Sequence, residues 1–449
     1  MVPTAEKQLS GWGQYPKAQC KITRPERTRE ILESVDPEGT IVRGLGRSYG
    51  DSAINDRGIV VDLTRMDRYL DFDADSGVLT CEAGVSLAAI LRDFAPRGFL
   101  PMITPGTKYV TVGGCIANDI HGKAHHVDGT FANCVESMQI LTAAGEVVTA
   151  SRTENPELFW ATFGGMGLLG IILTATIRLR PVETTYFRQK AIRAESLDEM
   201  LDALAEYDAK YPYSVAWIDP LATGARLGRG VLVVGEHAPL DALPAKMRRE
   251  PLSVSGPPLL EVPFDMPSQS LNPVTLRILN KIIETMQATP TPVAHYEKFF
   301  YPLDFVGEWN RGYGKRGFTQ YQFVIPFDDG RRRLRAILER IAHSGFCPFL
   351  NVLKRFGDEA EGHLSFPRPG YTLAIDFPIR DGLEAFLLEL DEMVLDADGR
   401  VYLAKDAFTT AEHFAQMYPR LDEWREVKNK WDPEHVFTSN QARRVGLAR

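Results

Sequence analysis

The sequence predicts a two-domain α+β protein. Three observations carry that expectation. The chain has 449 residues, enough for two or three domains whose cores need no disulfide or metal staples. As far as Pro181, short β-rich runs alternate with glycine turns; beyond it, longer capped helices appear. Strands and helices do not alternate regularly, as a doubly wound parallel sheet would require.

Taken in order, Pro25 followed by ERTREILESV predicts a helix with proline in its first turn. Gly39–Arg43, Ile59–Leu63 and Val78–Glu82 are short and rich in β-branched residues, hence strands. Ser86 caps a helix over LAAILRDF. Val135–Leu141 and Glu146–Ala150, joined by AAG, form a hairpin. Ser196 and Glu199 make a capping box ahead of the next helix. Tyr213–Ile218, Gln320–Ile325 and Tyr371–Phe377 are strands of a second domain, and Arg331–Ala342 and Gly382–Leu395 its helices. Pro251–Pro273, rich in proline and serine, predicts a mobile loop or a lid over an apolar substrate.

Composition narrows the function. Apolar residues at 44% and charged residues at 24% exclude a disordered or collagen-like chain, and a net charge of −8 lacks the basic excess of a generic nucleic-acid binder. The cysteines at 20, 81, 115, 134 and 347 are odd in number with no CxxC pair, which points to a reducing compartment. Cys115 and Cys134 are expected as small buried apolar groups. The N-terminal MVPTAEKQLSGWGQYPK has no apolar core of a secretory signal. The best membrane candidate, Phe163–Ile177, is short of ~18 residues and carries four glycines. A location in the cytoplasm or at the periphery of the inner membrane is expected.

Glycines carry the chemistry. Arg43-Gly-Leu-Gly-Arg-Ser-Tyr-Gly-Asp51 follows a strand directly, so its backbone N–H groups can turn towards an anion. No Gly-Lys-Ser/Thr follows, so it is no Walker loop, and G-x-G-x-x-x-G fails the Rossmann spacing. Pro105-Gly106, Thr111-Val-Gly-Gly114 with Asn118–Lys123, and Phe163–Ile171 add three more clusters. A long dinucleotide threaded past several loops accounts for all four.

Together these segments resemble the FAD-binding domain of the vanillyl-alcohol-oxidase (PCMH-type) flavoproteins, and Trp431-Asp432-Pro433 with Val436-Phe437 is similar to that family's closing motif. The resemblance implies a two-domain PCMH-type fold, with residues 1–184 and 400–449 holding FAD and 185–399 the substrate. It implies cofactor contacts from Arg43, Gly44, Leu45, Gly46, Arg47, Ser48, Tyr49, Gly50 and Asp51, around the pyrophosphate. Gly106, Thr111, Val112, Gly113 and Gly114 would follow the flavin, with Asn118, Asp119, Ile120, His121, Ile172 and Tyr402. Arg47 stands where some members tether FAD through a histidine, so the FAD is expected to be non-covalent.

Longer strings narrow the resemblance to the polyprenylphosphoryl-ribose oxidases of that family: Gly307–Gly314, Gln320–Pro326, Phe349–Lys354, Ala404–Asp406, Ser214–Asp219 and His125-His126. It runs from Gly11 to Arg444. In mycobacterial members a cysteine stands at the position of Ala374 and an asparagine at that of Thr372. The implied reaction is oxidation of the ribose C2 hydroxyl of a lipid-linked sugar, the first half of an epimerisation to arabinose for the cell wall. A short-chain dehydrogenase/reductase partner would complete it.

The resemblance places Lys405 beside the flavin, where a cation stabilises charge developing as hydride arrives. Lys405 and Tyr49 are the candidate bases, and His121 a hydrogen-bonding neighbour of the flavin. Lys354 is a candidate for substrate phosphate or hydroxyls. Gln320 and Gln322 share one face of a strand and are candidate sugar ligands. Trp217, Phe356 and Ala374 would wall the pocket. His121, His125 and His126 lack the accompanying cysteine or carboxylate pattern of a metal site. Arg331–Arg335 opens an amphipathic helix, read as a solvated face or a contact with anionic lipid headgroups. Two other readings stay open: an aldonolactone or alditol oxidase of a free sugar, and a non-catalytic flavoprotein subunit.

Overall fold

The structure, a computed structural model, describes residues 3–258, 260–267, 272–346 and 348–448. Cys347, and residues 259 and 268–271 of the expected loop, lie outside the described residues. A four-stranded sheet comes first. β1 (Thr4–Ser10) pairs antiparallel with β2 (Lys17–Thr23), while β2 and β3 (Thr40–Arg43) flank β4 (Ile59–Asp62) in parallel. The second sheet holds β5 (Tyr69–Asp73), β6 (Val78–Glu82), β7 (Phe99–Pro101), β8 (Val135–Leu141), β9 (Val147–Ser151) and β10 (Ile171–Pro181). β10 lies between β6 and β8; its first three residues are all buried, and inward residues alternate with outward ones from Leu173 to Arg180.

The largest sheet has eight strands: β11 (Tyr186–Ala194), β12 (Tyr213–Ile218), β13 (Gly230–His237), then, past the short β14 (Leu260–Glu261), β15 (Val293–His295), and past the short β16 (Val306–Gly307), β17 (Phe318–Ile325), β18 (Asn351–Phe356), β19 (Gly370–Pro378) and β20 (Arg400–Val401). Every residue of β19 is buried, so both faces of this sheet are covered. Helices Leu197–Asp208, Gly330–Ala342 and Leu383–Leu395 pack against it and one another. Their buried residues recur at three- and four-residue spacing, as in Leu334, Ile337, Leu338 and Ile341. The glycine loops and the turn after β20 meet the sheet from the opposite side, where Gln322 of β17 bonds to His121.

Several expectations change in detail. The first helix spans only Thr28–Leu32, because the chain is extended at Arg27 and Pro25 stays outside. In the capping box, Ser196 accepts from Glu199 N–H, but the Glu199 carboxylate accepts from Glu195 N–H, not Ser196. Arg331 and Arg335 lie on a solvated face, as expected, where they pair with the exposed Asp202 and Asp198 of the neighbouring helix. Within 251–273, Pro251 and Ser253 carbonyls accept from Thr185, and β14 pairs in parallel with β16.

The C-terminal helix Leu421–Trp431 closes the fold. Trp424 donates to Ala161 O at 3.0 Å, and the buried Lys428 ammonium reaches Asp432 at 2.5 Å, Leu168 O at 2.6 Å and Phe437 O at 2.9 Å. The lysine thereby fastens the fourth glycine cluster to the closing motif. Lys428→Ala should cost about 3–5 kcal/mol, because Asp432 keeps its buried charge without its cation. Urea unfolding of the variant against wild type measures this.

Candidate active site

The first glycine loop sits where nothing but hydrogen fits. A Cβ on Gly44 would lie 2.2 Å from Thr111 Oγ1, and one on Gly50 would lie 1.8 Å from Asp406 O. Gly46 has φ +64°, a conformation glycine adopts without strain. The loop is thus pressed between Thr111, which caps helix Val112–Ala117, and the turn that follows β20. Tyr49 N–H donates to Ala404 O at 2.9 Å, and Ser48 Oγ donates to Asn118 Oδ1 at 3.3 Å. A Cβ on Gly106 would meet nothing, so the backbone there faces open space.

Three of the expected cofactor residues turn their side chains into the protein. Arg43 donates to Ser10 O and Ala53 O. Asp51 is taken by Arg444, which also pairs with Asp406 at 2.8 Å. Asp119, wholly buried with its carboxyl pushed up to about 6 by burial, accepts from Ser365 Oγ and Ala132 N–H. These residues shape the loops. Val112, Ile120 and Ile172 are core residues beneath them, whereas Leu45 is exposed. Arg47 differs: its guanidinium lies 3.8 Å over Trp12 and its buried Nε has no partner among the described residues.

The eight-stranded sheet supplies the other wall by register. Cross-strand pairs are Trp217 with Val352, Val352 with Ala374, Lys354 with Thr372, Gln322 with Ala374, and Gln320 with Asp376. Directly opposed residues point the same way, and every second residue does so along a strand. One face therefore carries Trp217, Lys354, Thr372, Ala374, Asp376, Gln320 and Gln322.

The glutamines are less free than expected. Gln320 Nε2 donates to Asp376 Oδ1 at 2.5 Å. Gln322 Nε2 donates to Thr372 Oγ1 at 3.2 Å and meets His121 Nε2 at 3.1 Å. Gln322 keeps only its carbonyl oxygen for a ligand, whereas Gln320 keeps its carbonyl oxygen and one N–H. Because Gln322 is the donor, His121 Nε2 accepts and its proton sits on Nδ1. That Nδ1 is buried without a partner, and burial holds His121 well below its ordinary value, so the ring is a neutral donor. Phe356, Phe366 and Tyr402 enclose the ring at 4.8, 5.7 and 5.3 Å, and Tyr402 OH donates to Asn118 O.

Lys405 lies in the turn after β20, with its ammonium 4.0 Å over the Tyr49 ring. Neither Lys405 nor Lys354 has a hydrogen-bond or ion-pair partner among the described residues. Burial pushes Lys354 down to about 7, helped by the Lys405 charge, and pushes Tyr49 well up. Asp376, Tyr313 and Lys123 were not foreseen. Asp376 was legible: it shares the two-residue parity of Thr372 and Ala374. Tyr313, stacked 3.9 Å on Phe318, and Lys123, which donates to Phe299 O, have no local signature.

These residues fit FAD. The glycine cradles leave no room for side chains along one path, while Arg47 and the Nδ1–H of His121 are buried donors awaiting an acceptor. An unpaired arginine suits a pyrophosphate, and an unpaired lysine suits a site where negative charge develops. A fold and site of this kind define a PCMH-type FAD-dependent oxidoreductase.

Comparison with known proteins agrees. Residues 25–151 match the family model described as FAD binding domain, and residues 313–445 match D-arabinono-1,4-lactone oxidase. The chain is 42% identical to "Decaprenylphosphoryl-beta-D-ribose oxidase" of Mycolicibacterium smegmatis, over 99% of this chain and 98% of the relative. It is 24% identical to "L-gulono-1,4-lactone dehydrogenase" of Mycobacterium tuberculosis, over 97% and 98%. To "L-gulonolactone oxidase" of Bos taurus it is 30% identical over 45% of each chain. The chain belongs to the FAD-dependent oxidase family that includes the decaprenylphosphoryl-β-D-ribose oxidases.

Gly50→Ala tests the cradle. Overpacking of ~1–3 kcal/mol should weaken FAD binding roughly 5- to 150-fold. The ratio of flavin to protein absorbance after dialysis, read against secondary structure by circular dichroism, measures it.

Proposed function

We propose that this chain oxidises the C2 hydroxyl of a polyprenylphosphoryl-β-D-ribofuranose to the 2-keto sugar, using non-covalent FAD. The observation that carries this reading is the pair of unpartnered lysines, one on the sheet face and one on the adjoining turn. The 42% identical relative, named for such a substrate, supports it. When bound, FAD accepts the hydride from the carbinol carbon. Lys354 meets the phosphate, and the side-chain carbonyls of Gln320 and Gln322 accept from sugar hydroxyls. Trp217 and Phe356 enclose the ring, and Ala374 leaves space beside it. Lys405 stabilises charge on the flavin side. Of the two candidate bases, Tyr49 holds its proton too tightly, whereas Lys405, lowered to about 8 by burial, stays largely charged near pH 7 and acts as the base only through its minor neutral fraction.

In this reading residues 1–184 with 400–449 hold FAD and 185–399 hold the sugar. A 2-keto product needs a reductant to reach the arabinose configuration, hence a short-chain dehydrogenase/reductase partner. No helix among the described residues is long and apolar enough to cross a membrane. We take the protein to act in the cytoplasm or peripherally at the inner membrane, where its lipid-linked substrate resides. The match of residues 313–445 favours one rival, oxidation of a free aldonolactone. Anaerobic titration separates them: polyprenylphosphoryl ribose should bleach the flavin at stoichiometric amounts, and bleaching by aldonolactones alone would sink the proposal.

Two variants probe the lysines. Lys405→Met should keep FAD and lose about 10²–10³ in the rate of flavin reduction, ~3–4 kcal/mol of barrier, in stopped-flow traces. Lys354 carries its charge below about 7 and loses it above. Apparent KM should therefore rise with pH beyond that point, by up to roughly tenfold per unit. A pH series of initial rates should show that rise in wild type and a flat, higher KM in Lys354→Met.

A further inference from the structure

Asp376 is wholly buried, yet no cation forms an ion pair with it among the described residues. Its Oδ1 accepts from Gln320 Nε2 at 2.5 Å and its Oδ2 from Tyr313 OH at 3.0 Å. Its backbone N–H donates to Leu350 O and its carbonyl accepts from Phe349 N–H, so the side chain has one place to point. Two neutral donors lower the cost of a buried carboxylate but leave its charge uncompensated. Lys405, on the neighbouring turn, has the mirror-image defect: an enclosed ammonium 4.0 Å over the Tyr49 ring with no hydrogen-bond or ion-pair partner among the described residues.

We propose that Asp376 is a positioning residue for Lys405: its carboxylate, held by Gln320 and Tyr313, keeps the Lys405 ammonium charged and directed to the flavin side of the cleft. The inference rests on the flavin-side role given to Lys405 above. The two sit close in the fold: Lys405 O accepts from Thr319 Oγ1 at 3.4 Å, one residue before Gln320, and the Lys405 ammonium lies over Tyr49, whose ring packs on Phe318, itself stacked on the Tyr313 that donates to Asp376. The other titratable groups whose charge bears on this cluster are His121 and Lys354. Asp406, next in the chain, is already paired with Arg444. His121 is neutral, and Lys354 repels. Among the described residues Asp376 is therefore the carboxylate that opposes the burial driving the proton off Lys405. Burial in turn draws the Asp376 carboxyl upward, and the Lys405 charge opposes that shift.

The test is a titration of Lys405 by NMR in holoprotein carrying ¹³Cε-labelled lysine, the resonance assigned with Lys405→Arg. In Asp376→Asn the Lys405 transition should move to lower pH by at least about one unit, and Asp376→Glu should restore part of it. The sulfite affinity of the flavin, which reads positive charge at the ring, should fall off with pH along the same shifted curve. An unmoved Lys405 transition in Asp376→Asn overturns the proposal, even if activity is lost, since that pattern belongs to a carboxylate that only ties β17 to Tyr313. Should Asp376→Asn not fold, coupling is reciprocal and Lys405→Met gives the same answer: Asp376 must then take up a proton at higher pH, seen as the protonated-carboxyl stretch in infrared difference spectra. No change there refutes it equally. None of these readouts uses a sugar, so they stand if the proposed substrate is wrong.

Discussion

Arg444 lies between two carboxylates of the same wall of the cleft, one on the first glycine loop and one on the turn after β20. Asp51 ends the first glycine loop and Asp406 follows Lys405, and the guanidinium reaches them at 2.7 and 2.8 Å while also donating to Thr409 O at 2.6 Å. Burial penalises all three charges, and the geometry offsets the penalty because one planar fork satisfies both anions. The loop's own packing depends on this clamp. Asp406 O is close enough to position 50 to exclude any Cβ, so only glycine fits there. Gln441 of the same terminal helix donates to Leu403 O, so the whole turn from 402 to 406 hangs on the last residues of the chain.

The opposite wall is held by a different principle. A strand has no freedom to aim a single side chain, since register decides the direction of all of them together. In the β12–β18–β19–β17 ladder one register brings two amides, a lysine, a carboxylate and an indole to one face, with Ala374 as the small member between them. Helices on the far face fix that register by burying Leu353, Leu373, Ile375 and Phe323. A slip of one residue would exchange the polar set for the apolar one, so the core and the site are specified by the same alternation.

Much of this was legible in the chain. Three strands of the largest sheet, β12, β17 and β19, and the three helices packed on it follow from periodicity and capping, while β11, β13 and β18 were not foreseen; the glycine clusters announce backbone approach to a long ligand. Side chains inside those clusters were harder to read, because a polar residue in a loop has two fates. Arg47 remains open to a ligand, whereas Arg43, Asp51 and Asp119 are consumed in holding the loops. Local sequence cannot separate these, since the partner of Asp51 lies 393 positions away. Pro25 misled for a related reason. It suits a first helical turn, but nothing at Arg27 caps an earlier start. Asp376 is the reverse case, visible from parity alone once Ala374 is placed on the cleft.

The two lysines show how one wall conditions the other. Lys354 and Lys405 approach the same space from different elements, and each charge makes the other's proton easier to lose. Two enclosed ammonium groups without anions would not both stay charged, so the site needs negative charge from somewhere. Part of it is built in, since Asp376 stands on the sheet beside the turn that carries Lys405. The rest must arrive from outside. A phosphate at Lys354 and electron density gained by a flavin at Lys405 are both negative. They appear at the moments when binding and then oxidation require stabilisation. On the proposed reading, a site short of anions in its resting form would thereby be biased towards substrate that carries one and towards the reduced state of its cofactor. A neutral aldonolactone would meet only half of that demand, leaving Lys354 to release its proton near pH 7 with nothing to replace it.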